Sequence, residues 1–318
     1  MPQSNKKIIL VSGVGGPAGI NAARLLQNEP DVWVIGADID ALSAGRFFVN
    51  EFVISPRVSE VTAYTNWLTD IIAAKQIALF IPTVHEELPL VSNLKDSLPC
   101  LTIVSDSSAI TLGDDKLGLY QWAEVHIPDN TIPFILLRDW SEDWLADEVQ
   151  FIKPRQGRGG RGCIKVTKKE LHNLKNSEEN QENFIVMKYM PGTEWTVDAY
   201  RSKNGQMVYT VPRERIGLAG GISIKGKTVR HESLIALSNE VCHTIGFYGP
   251  VCLQWRADSE GVPKLIEINP RLSGGLPIST MAGVNPITAV LSELNGEEPA
   301  TQSWEEVTIV GHFEYKKV

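Results

Sequence analysis

The segment Lys264-Leu265-Ile266-Glu267-Ile268-Asn269-Pro270-Arg271 constrains the fold more than any other stretch of the chain. Side chains alternate faces along a strand, so Glu267, Asn269 and Arg271 share one face while Ile266 and Ile268 point into a core. Val251 to Ala257 precedes it across the turn at Asp258 to Gly261. The two runs therefore pair as a hairpin, which brings Gln254 alongside. A carboxylate and two amide oxygens on one face are hard ligands suited to Mg²⁺, and Arg271 adds a guanidinium for a phosphate or carboxylate. The alternative is the exposed polar face of an edge hairpin.

A second hairpin lies upstream. Gln150 to Pro154 reads as a strand, followed by Arg155-Gln156-Gly157-Arg158-Gly159-Gly160-Arg161-Gly162 and a second strand from Cys163 to Val166. Backbone N–H groups of a mobile glycine tip can cover a polyphosphate, and Lys153 beside it supplies a point charge. No Gly-Lys-Ser/Thr follows, so this is not a Walker A loop. Arg155, Arg158 and Arg161 would repel one another unless anions stood near. Lys116, in Gly113-Asp114-Asp115-Lys116, is a second phosphate-contact candidate; its alternative is a solvated lysine. Phe184 to Met190 is a further strand. Thr196 to Ser202 and Gln206 to Val211 pair across Lys203-Asn204-Gly205. Leu234 to Ile245 and Pro286 to Leu294 read as helices.

Residues 7–110 alternate apolar strands with helices, which argues for a parallel sheet. After the strand Ile8 to Val11, Gly13-Val14-Gly15-Gly16-Pro17-Ala18-Gly19 approximates a dinucleotide-binding turn, with Asp38 near the expected distance. Glycine also serves any tight strand-to-helix turn without a ligand. His85-Glu86-Glu87, after the strand ending at Pro82, stands at the sheet edge where ligands bind. It is a candidate for holding an amine or, alternatively, a helix N-terminus with solvated acids. Arg213 and Arg215 have two readings, a carboxylate grip or surface ion pairs.

Net charge is −8, which argues against a general nucleic-acid binder. The four cysteines form no C-x-x-C pair, so neither a zinc ribbon nor a redox motif is indicated. The first residues are polar and the apolar run after them is short, so neither a signal peptide nor a membrane partner is expected, and the cytoplasm is the expected location.

Taken in order, Gly113 to Lys116, Ile152-Lys153-Pro154 with its glycine loop, Tyr189-Met190-Pro191-Gly192-Thr193-Glu194 and Glu267 to Arg271 resemble the ATP-grasp superfamily. In detail the chain resembles carbamoyl-phosphate-synthetase-type domains and stand-alone relatives, including pyrrolysine-pathway-like ligases. The resemblance is specific over roughly residues 110–296 and loose before that. It implies a mixed α/β and α+β chain, with a parallel-sheet pre-ATP-grasp domain over residues 1–109 and a two-lobed ATP-grasp domain. The small lobe with the glycine-rich lid covers 110–190, and the large lobe with the metal and substrate site covers 191–318.

The resemblance also implies roles. Lys116 and Lys153 contact ATP phosphates under the lid that carries Gly159 and Gly160. Val186, Met187, Lys188 and Tyr189 form the hinge strand against adenine, and Glu194 accepts from the ribose. Gln254, Glu267 and Asn269 hold Mg²⁺, with Mn²⁺ as the alternative ion, and Arg271 meets the transferring phosphoryl group or acyl-phosphate. Lys188 replaces the glutamate usual before the hinge aromatic. The implied activity is an ATP-dependent ligase joining a small carboxylate or amino acid to an amine, with a homodimer as the expected assembly. Two rivals are an ATP-sensing module without catalysis, suggested by Lys188, and a nicotinamide-dependent oxidoreductase, resting on the Gly13–Gly19 turn alone.

Overall fold

A computed structural model describes residues 6–157, 160, 162–178, 180–311, 314, 316 and 317. The first sheet is parallel, with strand order β3-β2-β1-β4-β5, and is built from β1 (Lys7–Ser12), β2 (Val32–Asp38), β3 (Glu51–Ile54), β4 (Leu79–Ile81) and β5 (Leu101–Thr102). Helices α1 (Pro17–Leu26), α2 (Val61–Lys75) and α3 (Leu88–Leu94) join its strands. The strands read as continuous apolar runs because both faces are covered. Ile9 and Val11 pack toward Ala18, Ala22 and Leu26 of α1, whereas Leu10 and Phe80 pack toward Leu68 and Ile72 of α2.

Helices α4 (Ser107–Asp114) and α5 (Lys116–His126) lead into a four-stranded antiparallel sheet of order β6-β9-β7-β8. It comprises β6 (Phe134–Leu136), β7 (Val149–Pro154), β8 (Ile164–Thr167) and β9 (Phe184–Lys188), with α6 (Lys168–Ser177) packed against it. The third sheet is antiparallel, of order β14-β13-β10-β11-β12-β15. Its strands are β10 (Glu194–Arg201), β11 (Met207–Ala219), β12 (Ile222–Thr228), β13 (Gly249–Ala257), β14 (Pro263–Asn269) and β15 (Thr308–Val310). They are accompanied by α7 (Glu232–Ile245), α8 (Leu276–Met281) and α9 (Pro286–Leu294). Among the described residues no helix is long and apolar enough to cross a membrane.

Alternation along these strands separates core from cleft. Trp195, Val197, Leu253, Trp255, Leu265 and Ile268 pack with Leu119 and Ala123 of α5 and Leu234 and Val241 of α7. Thr196, Cys252, Gln254 and Glu267 line the opposite side. The α1 face of the first sheet shares one core with Tyr200, Val211, Leu272, Leu276, Ile287 and Trp304. That shared core ties the parallel sheet to the large antiparallel sheet and holds the carboxyl ends of β1 and β4 across from the functional strands.

One expectation fails at Ile266. The ladder sets Gln254 opposite Glu267 but Trp255 opposite Leu265. Ile266 is therefore the extra residue of a β-bulge, which reverses the alternation locally. Leu265 and Ile268 enter the core, while Ile266 lines the cleft.

Candidate active site

A cleft of about 1260 Å³ separates the carboxyl edge of the parallel sheet from the two antiparallel sheets. Lys153, Gly160, Met187, Lys188, Tyr189, Glu194, Gln254, Glu267, Asn269 and Arg271 all line it. Lys116 is not among the lining residues, and Gly159 lies outside the described residues, as do Arg158 and Arg161.

The oxygen set comes from two paired strands. Gln254 on β13 stands opposite Glu267 on β14, and Cys252 opposite Asn269. Asn269 Nδ2 donates to Glu267 Oε1 at 2.9 Å, and Arg271 Nη2 donates to Asn269 Oδ1 at 3.3 Å. The two side chains thus hold each other in place on one face. Among the described residues no cluster of three or more His, Cys, Asp or Glu could hold a metal. One carboxylate with two amide oxygens fits a hard ion that draws its remaining ligands from substrate phosphates and water, as Mg²⁺ usually does.

Lys153 is buried at the base of the glycine tip, and its Nζ donates to the carbonyl of Ile266 at 2.8 Å. Tyr120 OH donates to the same carbonyl at 2.8 Å, and the ammonium stands 5.1 Å from the Tyr120 ring centroid. The bulge leaves this oxygen available to both donors. Burial pulls the Lys153 amine down to about 8, against the opposing pull of Glu267. Phe151, Met187, Met190 and Ile266 form an apolar cluster on the adjoining wall, a surface that suits a planar ring. At the hinge, the Lys165 ammonium lies 4.2 Å from the Tyr189 ring centroid, and Lys188 stands 3.9 Å from Asp147.

Several charged residues are placed differently from what the sequence suggests. Lys116 is buried, and its Nζ donates to the carbonyl of Gly157 at 2.8 Å, tying α5 to the root of the glycine tip. Arg155 makes a two-pronged pair with Asp115 at 2.6 Å on each prong, so its anion comes from the chain itself. Arg213 makes no surface pair. It is buried, and Nε donates to Asp198 at 2.9 Å while Nη2 donates to Ser273 Oγ at 3.2 Å. Arg215 pairs with Glu194 and reaches Gln254 Oε1 at 3.2 Å. Glu194 also faces Arg256 at 3.4 Å, so this proposed ribose acceptor already carries two guanidinium partners.

On the other wall, the Gly13 turn packs closely against itself. A Cβ on Gly19 would lie 2.3 Å from the carbonyl oxygen of Gly13. The N–H of Gly15 donates to Asp38 Oδ2 at 2.7 Å, so the acid that would select a ribose already holds the turn closed. This favours tight packing over dinucleotide binding. Glu87 is fully buried and accepts from Ser12, Tyr64 and the N–H of Val84. Burial raises its pKa while those hydrogen bonds oppose the rise. His85 Nε2 meets Asp114 at 2.8 Å. The acids of this segment are therefore not uniformly solvated; Glu86 is the exposed one.

Residue order alone passed over Tyr120, Thr196, Cys252 and the tip between β11 and β12, whereas Ser273 and the two glycines after it resemble the substrate-proximal end of the family. Tyr120 was within reach, because it lies four residues from Lys116 on one helix face. Thr196 follows Glu194 by two on a strand and so shares its face.

Residues 180–315 match a family model described as ATP-grasp in the biosynthetic pathway with Ter operon. No curated protein matches the chain. Among solved structures, N5-carboxyaminoimidazole synthetase from Staphylococcus aureus, complexed with ADP, is similar with a TM-score of 0.72 and 18% identity, over 94% of this chain and 80% of that one. The biotin carboxylase domain of 2-oxoglutarate carboxylase from Hydrogenobacter thermophilus, solved with MgADP and bicarbonate, gives 0.73 and 17%, over 93% and 71%. An L-amino acid ligase from Bacillus licheniformis gives 0.68 and 12%, over 92% and 75%. At these identities what is shared is the fold, a parallel-sheet domain followed by two antiparallel lobes.

Proposed function

We propose that the chain is an ATP-grasp enzyme, an ATP-dependent ligase joining a carboxylate to an amine through an acyl-phosphate; the family model matched over residues 180–315 and the shared fold support this reading. The observation that carries this reading is one cleft lined both by the buried Lys153 and by the oxygen set of Gln254, Glu267 and Asn269. Positioning and charge neutralisation are what phosphoryl transfer to a carboxylate requires.

In this reading Lys153 neutralises the polyphosphate while the Phe151, Met187 and Met190 wall takes the adenine. Glu267, Asn269 and Gln254 would hold Mg²⁺, which supplies charge neutralisation at the transferring phosphate. Arg271, fixed against Asn269 at the end of β14, orients the carboxylate whose oxygen attacks the γ-phosphorus with release of ADP. The amine then displaces phosphate from the acyl carbon. The tip between β7 and β8 excludes water from the acyl-phosphate, which hydrolyses readily. Both partners are small molecules, and the need for ATP places the reaction in the cytoplasm.

The test is a screen of carboxylates with ATP, Mg²⁺ and hydroxylamine. ADP and a hydroxamate should form together and only with the right acid. AMP and pyrophosphate as products would replace this mechanism with adenylation.

A further inference from the structure

The part of the cleft beyond the oxygen set has a different lining. Ile39, Val58, Val61 and Leu90 face it from the parallel-sheet domain, and Leu218 and Ile222 from the tip between β11 and β12. Ile39, Val61 and Leu218 are 47%, 55% and 49% exposed, so these apolar side chains are left open to solvent inside a concavity. The tip closes this compartment from the large sheet, because the position of a Cβ on Gly274 lies 3.3 Å from Ile222 and 3.4 Å from Pro17 of α1.

At the inner end of the compartment stands Arg213. Its guanidinium is only 2% exposed, yet among the described residues Nη1 has no hydrogen-bond partner, although Nε and Nη2 do. A buried donor of a charged group left unpaired is costly. Gly275 lies directly over it: a Cβ there would sit 2.7 Å from both Nη1 and Nη2. The backbone of Gly275 has φ −94°, which any residue adopts. Contact rather than conformation therefore makes this position glycine, because a side chain there would collide with the guanidinium that lines the cleft.

We propose that this compartment binds a substrate carrying a carboxylate and an apolar side group of amino-acid size, the carboxylate on Arg213 Nη1 and the side group between Leu218 and Val61. The proposal rests on the ligase reading and names its substrate class. A polar or very small acid would leave the apolar wall in water, and an apolar amine without an anion would leave Nη1 unpaired.

The test measures binding without turnover. L-leucine, 4-methylpentanoate, L-glutamate and acetate are titrated by calorimetry into the protein saturated with Mg²⁺ and a non-hydrolysable ATP analogue. L-leucine or 4-methylpentanoate should bind about tenfold or more tightly than acetate and L-glutamate, from burial of the isobutyl group. The tighter of the two identifies an amino acid or a simple acid. Leu218→Asp, beside an exposed tip, and Gly275→Ala, which crowds Nη1 and Nη2, should each weaken that binding about tenfold with analogue affinity unchanged. Arg213→Lys, which keeps the charge but not the fork, should do the same. Equal affinity for acetate or L-glutamate, no binding by either apolar acid, or unchanged affinity in Leu218→Asp and Gly275→Ala would overturn the proposal. Failure of the ligase reading shows separately, as a bound acid that yields no ADP from ATP.

Discussion

On the parallel-sheet wall of the cleft, Glu87 accepts from Ser12, Tyr64 and Val84, and Asp38 accepts from the N–H of Gly15. On the opposite wall, among the described residues, Arg213 keeps one nitrogen without a partner, and the buried Lys153 donates to a carbonyl rather than to an acid. The glycine turns differ in the same way. Gly19 is fixed by the Gly13 carbonyl at 2.3 Å from its missing Cβ, whereas among the described residues a Cβ on Gly157 or Gly160 would meet nothing within 4 Å. The first wall uses its polar groups to hold the fold. The second leaves polar groups and space for a ligand, and a protein keeps buried charge without full partners mainly where function needs it.

Substitutions can separate the two walls. The largest effect is expected at Gly19. Gly19→Ala should cost about 3 kcal/mol in a denaturant titration, because the new methyl group meets backbone that cannot swing away. ATP affinity of the folded fraction should be retained. The matching change Gly160→Ala meets no atom of the described residues but takes a positive φ of 70°. It should cost about 1 kcal/mol and raise the KM for ATP instead. Equal stability losses at both positions would erase the contrast between the turns.

Next in size is Glu267→Gln, which keeps shape and removes a charge from the oxygen set. Turnover should fall on the order of a hundredfold, with the melting temperature unchanged and more Mg²⁺ needed for half-maximal rate. A normal Mg²⁺ dependence would remove Glu267 from the metal set.

Lys153→Met should weaken ATP binding by roughly 1.5–3 kcal/mol, the loss of a charge-assisted contact. The ligand-free protein should become more stable, because its native state carries an amine held at about 8 against an ordinary 10.5. Below pH 8 both folded and unfolded chains bind this proton, and the native state bears the full cost of the buried charge. That cost is relieved as pH rises from about 8 toward 10.5. Tyr120 continues to satisfy the Ile266 carbonyl in the variant. A less stable ligand-free variant would show that Lys153 serves the fold.

The smallest effect sharpens the same point. A polyphosphate beside Lys153 raises its pKa, so ATP binding near pH 8.5 should take up a fraction of a proton, and affinity should decline as pH rises through about 8. Calorimetry in buffers of different ionisation heat reads the uptake directly. Its absence would mean that Lys153 does not face the phosphates.

Much of this was legible from residue order alone, because the rules involved act over a few residues. Period-two alternation set Glu267 beside Asn269 on one face of β14, and turn residues marked the hairpins that contain β10 and β13. Continuous apolar runs marked β1 and β2 as strands covered on both sides. Helices α7 and α9 were readable from their apolar pattern, and the side chain of Asn285 caps α9 by accepting from the N–H of Ile287. Tertiary structure decided what depends on pairings between distant segments. The bulge that turns Ile266 into the cleft arises from the register between β13 and β14, which the local alternation of β14 does not specify. Lys116 meets a carbonyl 41 residues away, and Lys153 one 113 residues away. Arg213 acquires its buried partner Asp198 from the neighbouring strand, and the close cover of Gly275 from a loop after β14. Residue types specify which groups can carry charge or donate hydrogen bonds. Which of those groups the fold satisfies, and which it leaves for a ligand, follows from burial and register.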